Sequence, residues 1–273
     1  MNIQIHIVDA FTAVPFKGNP AAVCVLDAFP EDSAMQQVAL EMNLSETAFL
    51  VKKSTLEYNL RWFAPNAEVD LCGHATLAAT HILLETGHVG VKDTVTYHTL
   101  SGLLRARVIN TSIELDFPEL AGEAVTPPAE LKALGVKIVA CEQNRDNYLV
   151  EVRDYKTLLA CTPDFRALLA LDREGIIVTT AKDVPNYDFA SRYFVPNCTI
   201  SEDPVTGSAH TFLAPYWAKK LGKNTFHAIQ ASKRQGVLDV TLDKGRVLIR
   251  GQAVTILKGE LLLPNLFAKE KAA

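Results

Sequence analysis

The sequence predicts an α+β fold of two similar halves, and two repeated motifs are the main evidence. Arg61-Trp-Phe-Ala-Pro-Asn66 is echoed 131 residues later by Arg192-Tyr-Phe-Val-Pro-Asn197, with four identities in six. Gly73-His-Ala75 is echoed by Gly207-Ser-Ala209 at an offset of 134. The chain also lacks a Gly-x-Gly-x-x-Gly fingerprint and long β-α-β alternation, so a doubly wound parallel sheet is not indicated. Repetition at nearly one offset predicts a duplicated half.

The elements of the first half follow from hydrophobic periodicity. Residues 3–8 alternate as a strand does, residues 21–26 form an apolar strand, and residues 32–43 have helical spacing. A further apolar strand spans residues 48–51. Residues 75–84 are apolar on every face, which predicts a helix buried on all sides. The strands of this half must therefore wrap around that helix.

The second half repeats the order strand, strand, helix, strand, strand, buried helix, hairpin. Residues 165–171 are its equivalent first helix, and residues 175–178 form the next strand. The alternating residues 238–242 match 104–108, again 134 positions apart, and turn formers follow both segments. Each half is therefore expected to end in a hairpin. Pro215 lies in the second buried helix and is expected to kink or interrupt it.

The connection between the halves is predicted within residues 118–128, which contain three prolines and no periodicity. We place the boundary at residue 120. The N-terminal half is then residues 1–120 and the C-terminal half residues 121–273. The last strand is a candidate to cross back to the N-terminal half.

Composition excludes several classes of partner. The net charge of −4 supplies no basic field for binding nucleic acid. The longest uncharged apolar stretch, residues 71–84, is shorter than the ~20 residues that span a bilayer, so no membrane partner is expected. The N-terminus alternates like a strand and does not resemble a signal peptide.

The cysteine and histidine patterns argue against disulfides and metals. The five cysteines are odd in number and lack Cys-x-x-Cys spacing, so a disulfide framework and a zinc ribbon are both disfavoured. A cytoplasmic location is the expectation. His74 and His81 have no accompanying His-Glu-x-x-His motif, so no metal is expected.

The two glycine turns predict an anion site. The first N–H groups of a helix have no partner within the helix, and the helix dipole is positive there. Gly73 and Gly207 would let a small carboxylate approach these groups, with both helix starts pointing into one cleft between the halves. The alternative is that both glycines only serve tight strand-to-helix turns.

Residues that break the repeat are the candidates for chemistry. Glu46 precedes an apolar strand and has no carboxylate counterpart in residues 175–178; partial burial would suit it to proton transfer at carbon. The alternative is an exposed turn. His74 is a candidate hydrogen-bond donor or proton carrier, or else a packed histidine. Asp203 is a candidate ligand contact or a simple N-cap for the second helix.

Four sequence blocks are similar to signature blocks of one enzyme family, the PhzF-like isomerases of phenazine biosynthesis. The blocks occur in the family's order, and they are Gly18-Asn-Pro-Ala-Ala-Val23, Leu44-Ser-Glu-Thr-Ala-Phe49, Leu71-Cys-Gly-His-Ala-Thr-Leu77 and Glu202-Asp-Pro-Val-Thr-Gly-Ser-Ala-His210.

The resemblance implies a diaminopimelate-epimerase-like fold, in which each half rolls a mostly antiparallel sheet around a central helix, with the active site between the halves. It implies proton transfer without a cofactor, and the family's residue roles carry over by position. Glu46, His74 and Asp203 become the expected catalytic residues. Asn19, Gly73, Gly207 and Ser208 become the expected substrate-binding residues. The resemblance also implies a homodimer.

The leading functional prediction is a cofactor-independent isomerase that moves a proton between carbons of a small carboxylate-bearing substrate, with Glu46 as acid and base. An amino-acid racemase or epimerase is the alternative enzyme, and a non-catalytic carboxylate-binding protein is the alternative outside catalysis. The related epimerases use two cysteines. Here only Cys72 lies beside a glycine turn, so a racemase with two thiols is disfavoured.

Overall fold

The computed structural model describes residues 2–198 and 200–262, and these divide into two compact units. The first unit runs from the N-terminus to Leu115 and resumes at Gly251; the second unit is Asp116–Arg250.

The first unit contains two helices and eight strands before residue 119. In chain order they are β1 (Asn2–Ala10), β2 (Asn19–Leu26), α1 (Asp32–Met42), β3 (Glu46–Ser54), β4 (Glu57–Phe63), β5 (Glu68–Val69), α2 (Gly73–Glu85), β6 (Thr94–Thr99), β7 (Gly102–Ile109) and β8 (Ser112–Pro118). Strands β2 and β3 pair in parallel, as do β4 and β6, whereas the pairs β1–β2, β3–β4, β4–β5, β6–β7 and β7–β8 are antiparallel.

Helix α2 is the core of the first unit. All its residues from Gly73 to Leu83 except His81 are buried, as the uniformly apolar pattern predicts. The helix contacts β1, β2, β3 and β7, and the Thr80 hydroxyl lies 2.7 Å from the Tyr97 hydroxyl on β6. Helix α1 packs on the other face of the strands, where Met35 and Val38 join a separate apolar cluster. The strands therefore lie between the two helices.

After a short strand and a 3-10 helix of its own, the second unit repeats the order of elements of the first. They are β9 (Glu123–Ala124), a 3-10 helix (Ala129–Leu134), β10 (Ile138–Gln143), β11 (Asn147–Val152), α3 (Tyr155–Leu159), α4 (Phe165–Leu168), β12 (Gly175–Thr180), β13 (Phe189–Phe194), β14 (Glu202–Asp203), α5 (Gly207–Leu221), β15 (Thr225–Gln230), β16 (Gly236–Asp243) and β17 (Arg246–Gly251). The parallel pairs are again two, β11–β12 and β13–β15. Two short helices replace the single helix expected at residues 165–171.

The last described strand, β18 (Ala253–Leu262), pairs antiparallel with β1, and Asn2 lies opposite Leu262. The chain therefore returns to the first unit after completing the second. Both units have mostly antiparallel strands around one central helix.

The repeat extends to a partly buried ion pair in each unit. Arg61 on β4 donates two hydrogen bonds to the Glu68 carboxylate, at 2.7 and 2.6 Å. Arg192 on β13 donates two to Glu202, at 2.7 and 2.9 Å. Each guanidinium also lies over the phenylalanine two residues later on its own strand. Such paired, planar contacts fix the short strand that leads into the central helix of each unit.

The expectation that Pro215 interrupts the second buried helix is wrong in one respect, because α5 is continuous from Gly207 to Leu221. Proline lacks an N–H and so cannot bond the carbonyl four residues earlier, which belongs to Thr211. The Leu120 N–H donates to that carbonyl instead, at 3.1 Å. A donor from the preceding segment thus satisfies the group that the proline leaves open.

Candidate functional site

The start of α2 offers unsatisfied backbone donors in the first unit. Gly73 is the first helical residue, and the N-cap residue Cys72 is extended and makes no side-chain cap. Within the described part of the chain, the Cys72 side chain thus leaves the N–H groups of the first turn uncapped, and the positive end of the helix dipole lies there. The short strand β5 ends three residues before Cys72 and delivers the chain to this turn.

Glu46 is the first residue of β3 and not part of an exposed turn. Its side chain is 20% exposed, and its Oε2 lies 3.1 Å from Nε2 of His74. The parallel pairing of β2 with β3 sets Glu46 opposite Ala21, two residues after Asn19. Strand pairing thus brings together Glu46, Asn19 and the start of α2, which the sequence separates by up to 55 residues.

A chain of three side chains sets the orientation of the His74 ring. The Ser45 hydroxyl donates to Oδ1 of Asn19 at 3.1 Å, and this contact assigns the amide nitrogen of Asn19 to the other side. That nitrogen lies 3.2 Å from Nδ1 of His74, so it donates and Nδ1 accepts. The ring proton of neutral His74 then sits on Nε2, which faces Glu46.

His74 is neutral in this environment. The side chain is 6% exposed, and burial lowers its pKa from 6.5 to about 3. At neutral pH it therefore places an N–H group, and no positive charge, beside the Glu46 carboxylate. The contact is short, but the ring nitrogen is not aligned for a hydrogen bond within the part of the chain that is described.

Cys72 completes the cluster. Its Sγ lies 3.5 Å from Nδ1 of His74, and one ligand-type atom from each of Glu46, Cys72 and His74 falls within 4.8 Å of the others. Carboxylate, thiol and imidazole are all zinc ligands. However, Nδ1 of His74 takes the Asn19 hydrogen bond and Nε2 faces Glu46, so both ring nitrogens already have protein neighbours. A carboxylate beside a neutral imidazole is also a usual arrangement for proton transfer.

The start of α5 is braced differently in the second unit. The hydroxyl of Thr206, the N-cap residue, donates to the Asp203 carboxylate at 2.5 Å. The Thr206 N–H donates to Oε1 of Gln230, whose amide nitrogen donates back to the Asp203 carbonyl; both distances are 2.8 Å. Gly207 is buried, and Ser208 is exposed at the helix start. The structure thus groups Asp203, Gly207 and Ser208 at one turn.

His210 has a fixed tautomer in α5. Its Nδ1 lies 2.8 Å from the Thr206 carbonyl, which only accepts, so Nδ1 carries the proton. In α2 the matching contact is made by Thr76, whose hydroxyl donates to the Cys72 carbonyl at 2.6 Å. Burial lowers the pKa of His210 from 6.5 to about 4, although the Thr206 contact opposes this shift.

We expect the two buried histidines to make the protein less stable in acid. The unfolded chain binds a proton on each near pH 6.5, whereas folded His74 and His210 stay neutral to about pH 3 and about pH 4. Their contribution is intact above pH 6.5 and is lost as the pH falls below it, by up to about 1.4 kcal/mol per pH unit for each group. Urea titrations between pH 5 and 7 measure this slope. His210→Gln should reduce it, and identical slopes in both proteins would contradict the assignment.

The strand register supports the view that Glu46 breaks the repeat. Phe49 lies opposite Arg61, and Val178 lies opposite Arg192. Because the two arginines match in the repeat, the position three residues before Phe49 matches the position three before Val178. Glu46 therefore corresponds to Gly175.

No side chain fits at Gly175. A Cβ atom there would lie 2.1 Å from the Tyr193 hydroxyl oxygen and 2.3 Å from Oδ1 of Asn147, and these two groups hydrogen-bond each other at 2.8 Å. The space that Glu46 uses in the first unit is thus filled by a tyrosine–asparagine pair in the second.

Gly175→Ala is expected to lower the free energy of unfolding by about 1–3 kcal/mol, because the added methyl group must displace the tyrosine hydroxyl. Chemical denaturation measures the change. Adding Tyr193→Phe removes the closest oxygen and should recover part of the loss. If the losses of unfolding free energy from Gly175→Ala and Tyr193→Phe simply add in the double variant, the Tyr193 hydroxyl does not crowd the added methyl group.

Some groups at these turns had weak sequence signals. Ser45 lies beside Glu46 within a signature block and was detectable by position alone. Gln230 lies 24 residues beyond Thr206, and no pattern in the sequence links the two.

Within the described residues, no helix is long and apolar enough to cross a membrane.

Comparison with known proteins identifies the family. The sequence model of the family described as "Phenazine biosynthesis-like protein" matches residues 8–259. The chain belongs to this family. An uncharacterized isomerase of Halalkalibacterium halodurans, one of its relatives, is 51% identical over 265 residues, which is 96% of this chain and 100% of the relative.

Solved structures agree with the family assignment. A phenazine biosynthesis protein of the PhzF family from Enterococcus faecalis superposes with a TM-score of 0.92 at 44% identity, covering 96% of this chain and 100% of that one. A hydroxyproline epimerase from Agrobacterium vitis shares the fold alone, with a TM-score of 0.62 at 14% identity, 97% of both chains being covered. The predicted family, the two-half fold and the isomerase class are confirmed. The roles of the individual family residues remain predictions.

Proposed function

We propose that the protein is an isomerase that moves a proton between carbons of a small carboxylate-bearing substrate, without a cofactor, with Glu46 as acid and base. One observation carries the proposal. Glu46 stands beside a neutral, oriented His74 at an uncapped helix start, and the matching position of the second unit has no room for a side chain.

The reaction balances without an oxidant or reductant. The Glu46 carboxylate takes a proton from a substrate carbon, and the electron pair of that C–H bond moves into an adjacent unsaturated or carbonyl system. Glu46, now a carboxylic acid, returns the proton to a different carbon. One carboxylate suffices for both steps, because each step restores the group that the other one needs.

The neighbouring groups position this carboxylate and the substrate. Nε2–H of His74 faces the Glu46 carboxylate, and His74 itself is held by Asn19. The free N–H groups at Gly73 suit the substrate carboxylate. Asp203, Gly207 and Ser208 of the second unit remain in the proposal as substrate contacts, with Asp203 polarising the substrate. The proposal also includes that the protein is a homodimer and that it is located in the cytoplasm.

The test is isotope incorporation from solvent. The protein is incubated in D2O with small aromatic and aliphatic carboxylates and with D- and L-amino acids, and NMR follows each C–H position. Deuterium at a new carbon, or intramolecular transfer to it, supports the isomerase. Exchange only at the Cα of amino acids would favour a racemase instead. Binding by calorimetry without exchange on any compound would favour a non-catalytic binding protein.

A further inference from the structure

The first unit contains a cavity far from Glu46. Its volume is about 340 Å³, and it lies where α2 has ended but the strands around it continue. Lys52 and Thr86 line it. Lys52 is six residues beyond Glu46 along β3, and Thr86 is thirteen residues beyond Gly73 along α2. Measured along the strand or along the helix, the cavity is therefore about 20 Å from the candidate active site.

Strand alternation explains why the cavity is lined as it is. Along β4, Trp62, Leu60 and Tyr58 share the face towards α2, and Tyr58 is the last of them. Along β3, Leu50 is buried on that face and Lys52 follows it. The faces that enclose the helix thus end in polar side chains beyond the helix terminus.

Two buried polar atoms of residues that line the cavity make no hydrogen bond within the described part of the chain. Tyr58 is fully buried and His6 is 4% exposed, yet the Tyr58 hydroxyl and Nδ1 of His6 make no hydrogen bond to any described residue. Buried polar atoms in folded proteins are nearly always hydrogen-bonded. Two such atoms in one cavity therefore indicate a polar molecule that bonds them.

The rim of the cavity carries net positive charge. Lys52 and Lys258 line it with a single carboxylate, Asp27, and none of the three forms an ion pair among the described residues. Lys258 lies opposite His6 in the β1–β18 register. Burial and then the Lys258 charge lower the His6 pKa, whereas the Glu85 charge and a hydrogen bond to the Val23 backbone oppose this shift. The carbonyls of Ile82, Leu83 and Leu84 in the last α2 turn accept hydrogen bonds from the N–H groups of residues 86–89.

We propose that this cavity binds a small monocarboxylate whose apolar body packs on Val25 and Leu26 and whose distal hydroxyl meets Tyr58 and His6. The acid group pairs with Lys52 and Lys258. Ligand pockets in proteins commonly begin at about 300 Å³, so the cavity holds a molecule of one ring and a short side chain. The site is separate from the proposed proton-transfer chemistry and does not depend on it.

The probe is 4-hydroxyphenylacetate, measured on the full-length protein by calorimetry and by ligand-detected NMR. Wild type is expected to bind it saturably. Tyr58→Phe keeps the ring and removes the hydroxyl, and it should weaken binding about three- to tenfold, as should Lys258→Gln. Phenylacetate, which lacks the hydroxyl, should bind more weakly to wild type and with little difference between wild type and Tyr58→Phe.

Two controls keep the test specific. Lys53→Gln changes the next lysine of β3, on the opposite face, and should leave binding intact. His74→Gln changes the candidate active site and should also leave it intact. The proposal is overturned if wild type shows no saturable binding at millimolar concentration, or if His74→Gln abolishes binding while Tyr58→Phe and Lys258→Gln do not weaken it.

Discussion

Glu46→Gln is expected to lower solvent-deuterium incorporation about 10²- to 10⁴-fold, because an amide keeps the shape of the side chain but cannot accept the proton. The substrate identified by the D2O experiment serves for the measurement. The free energy of unfolding should stay close to that of wild type, since Glu46 is partly exposed at the end of a strand. A loss of activity at unchanged stability then reports on chemistry.

The matched control is Glu41→Gln, which makes the same change on an exposed residue of α1 and should keep full activity. Asn19→Ala is a complementary variant, because it removes the donor that holds Nδ1 of His74. In this variant the ¹⁵N chemical shifts of the His74 ring should show a mixture of both neutral tautomers. Full activity in Glu46→Gln would remove Glu46 from the mechanism.

Gly18→Ala is expected to cost at least about 3 kcal/mol of unfolding free energy. Gly18 has a φ of +65°, and a Cβ there would lie 2.1 Å from the Ala10 carbonyl oxygen and 2.8 Å from a methyl group of Thr12. A left-handed conformation alone costs alanine about 1–2 kcal/mol, and a backbone oxygen cannot move aside as a side chain can. Chemical denaturation measures the loss of unfolding free energy. If the variant accumulates too poorly for denaturation, limited proteolysis compares its stability with that of wild type.

Gly87→Ala separates the two causes. Gly87 has a φ of +73°, but an added Cβ would meet nothing within 4 Å. Its cost should therefore be only the conformational one, about 1–2 kcal/mol. Because Gly18 immediately precedes Asn19, its replacement should also disturb the His74 ring. Equal costs for the two variants would show that the contact at Ala10 is unimportant.

The sequence was sufficient for features that are local or repeated. Helical periodicity predicted α1 to within one residue of its end, and uniform apolarity predicted the burial of α2. The repeat predicted that both units share one order of elements. It also singled out Glu46, because a carboxylate in one copy lacked a counterpart in the other.

The remaining features depend on contacts between distant segments, which one sequence does not encode in any local pattern. The hydroxyl of Ser45 orients an amide 26 residues away, and Tyr193 occupies the space beside Gly175 only because β12 and β13 pair in one register. The expectation that Pro215 interrupts α5 was wrong for the same reason. Its effect on α5 is offset by the N–H of Leu120, which lies 95 positions earlier in the chain.

The return of β18 to β1 sets an order for synthesis on the ribosome. The second unit is continuous from Asp116 to Arg250 and is complete in the nascent chain before the first, whose last described strand ends at Leu262. At about 5–20 residues per second, β1 waits roughly 10–50 s for its second neighbour. During that interval it is an open sheet edge, where chaperones or other nascent chains bind most readily. A circular permutant that begins at β18 would remove the delay.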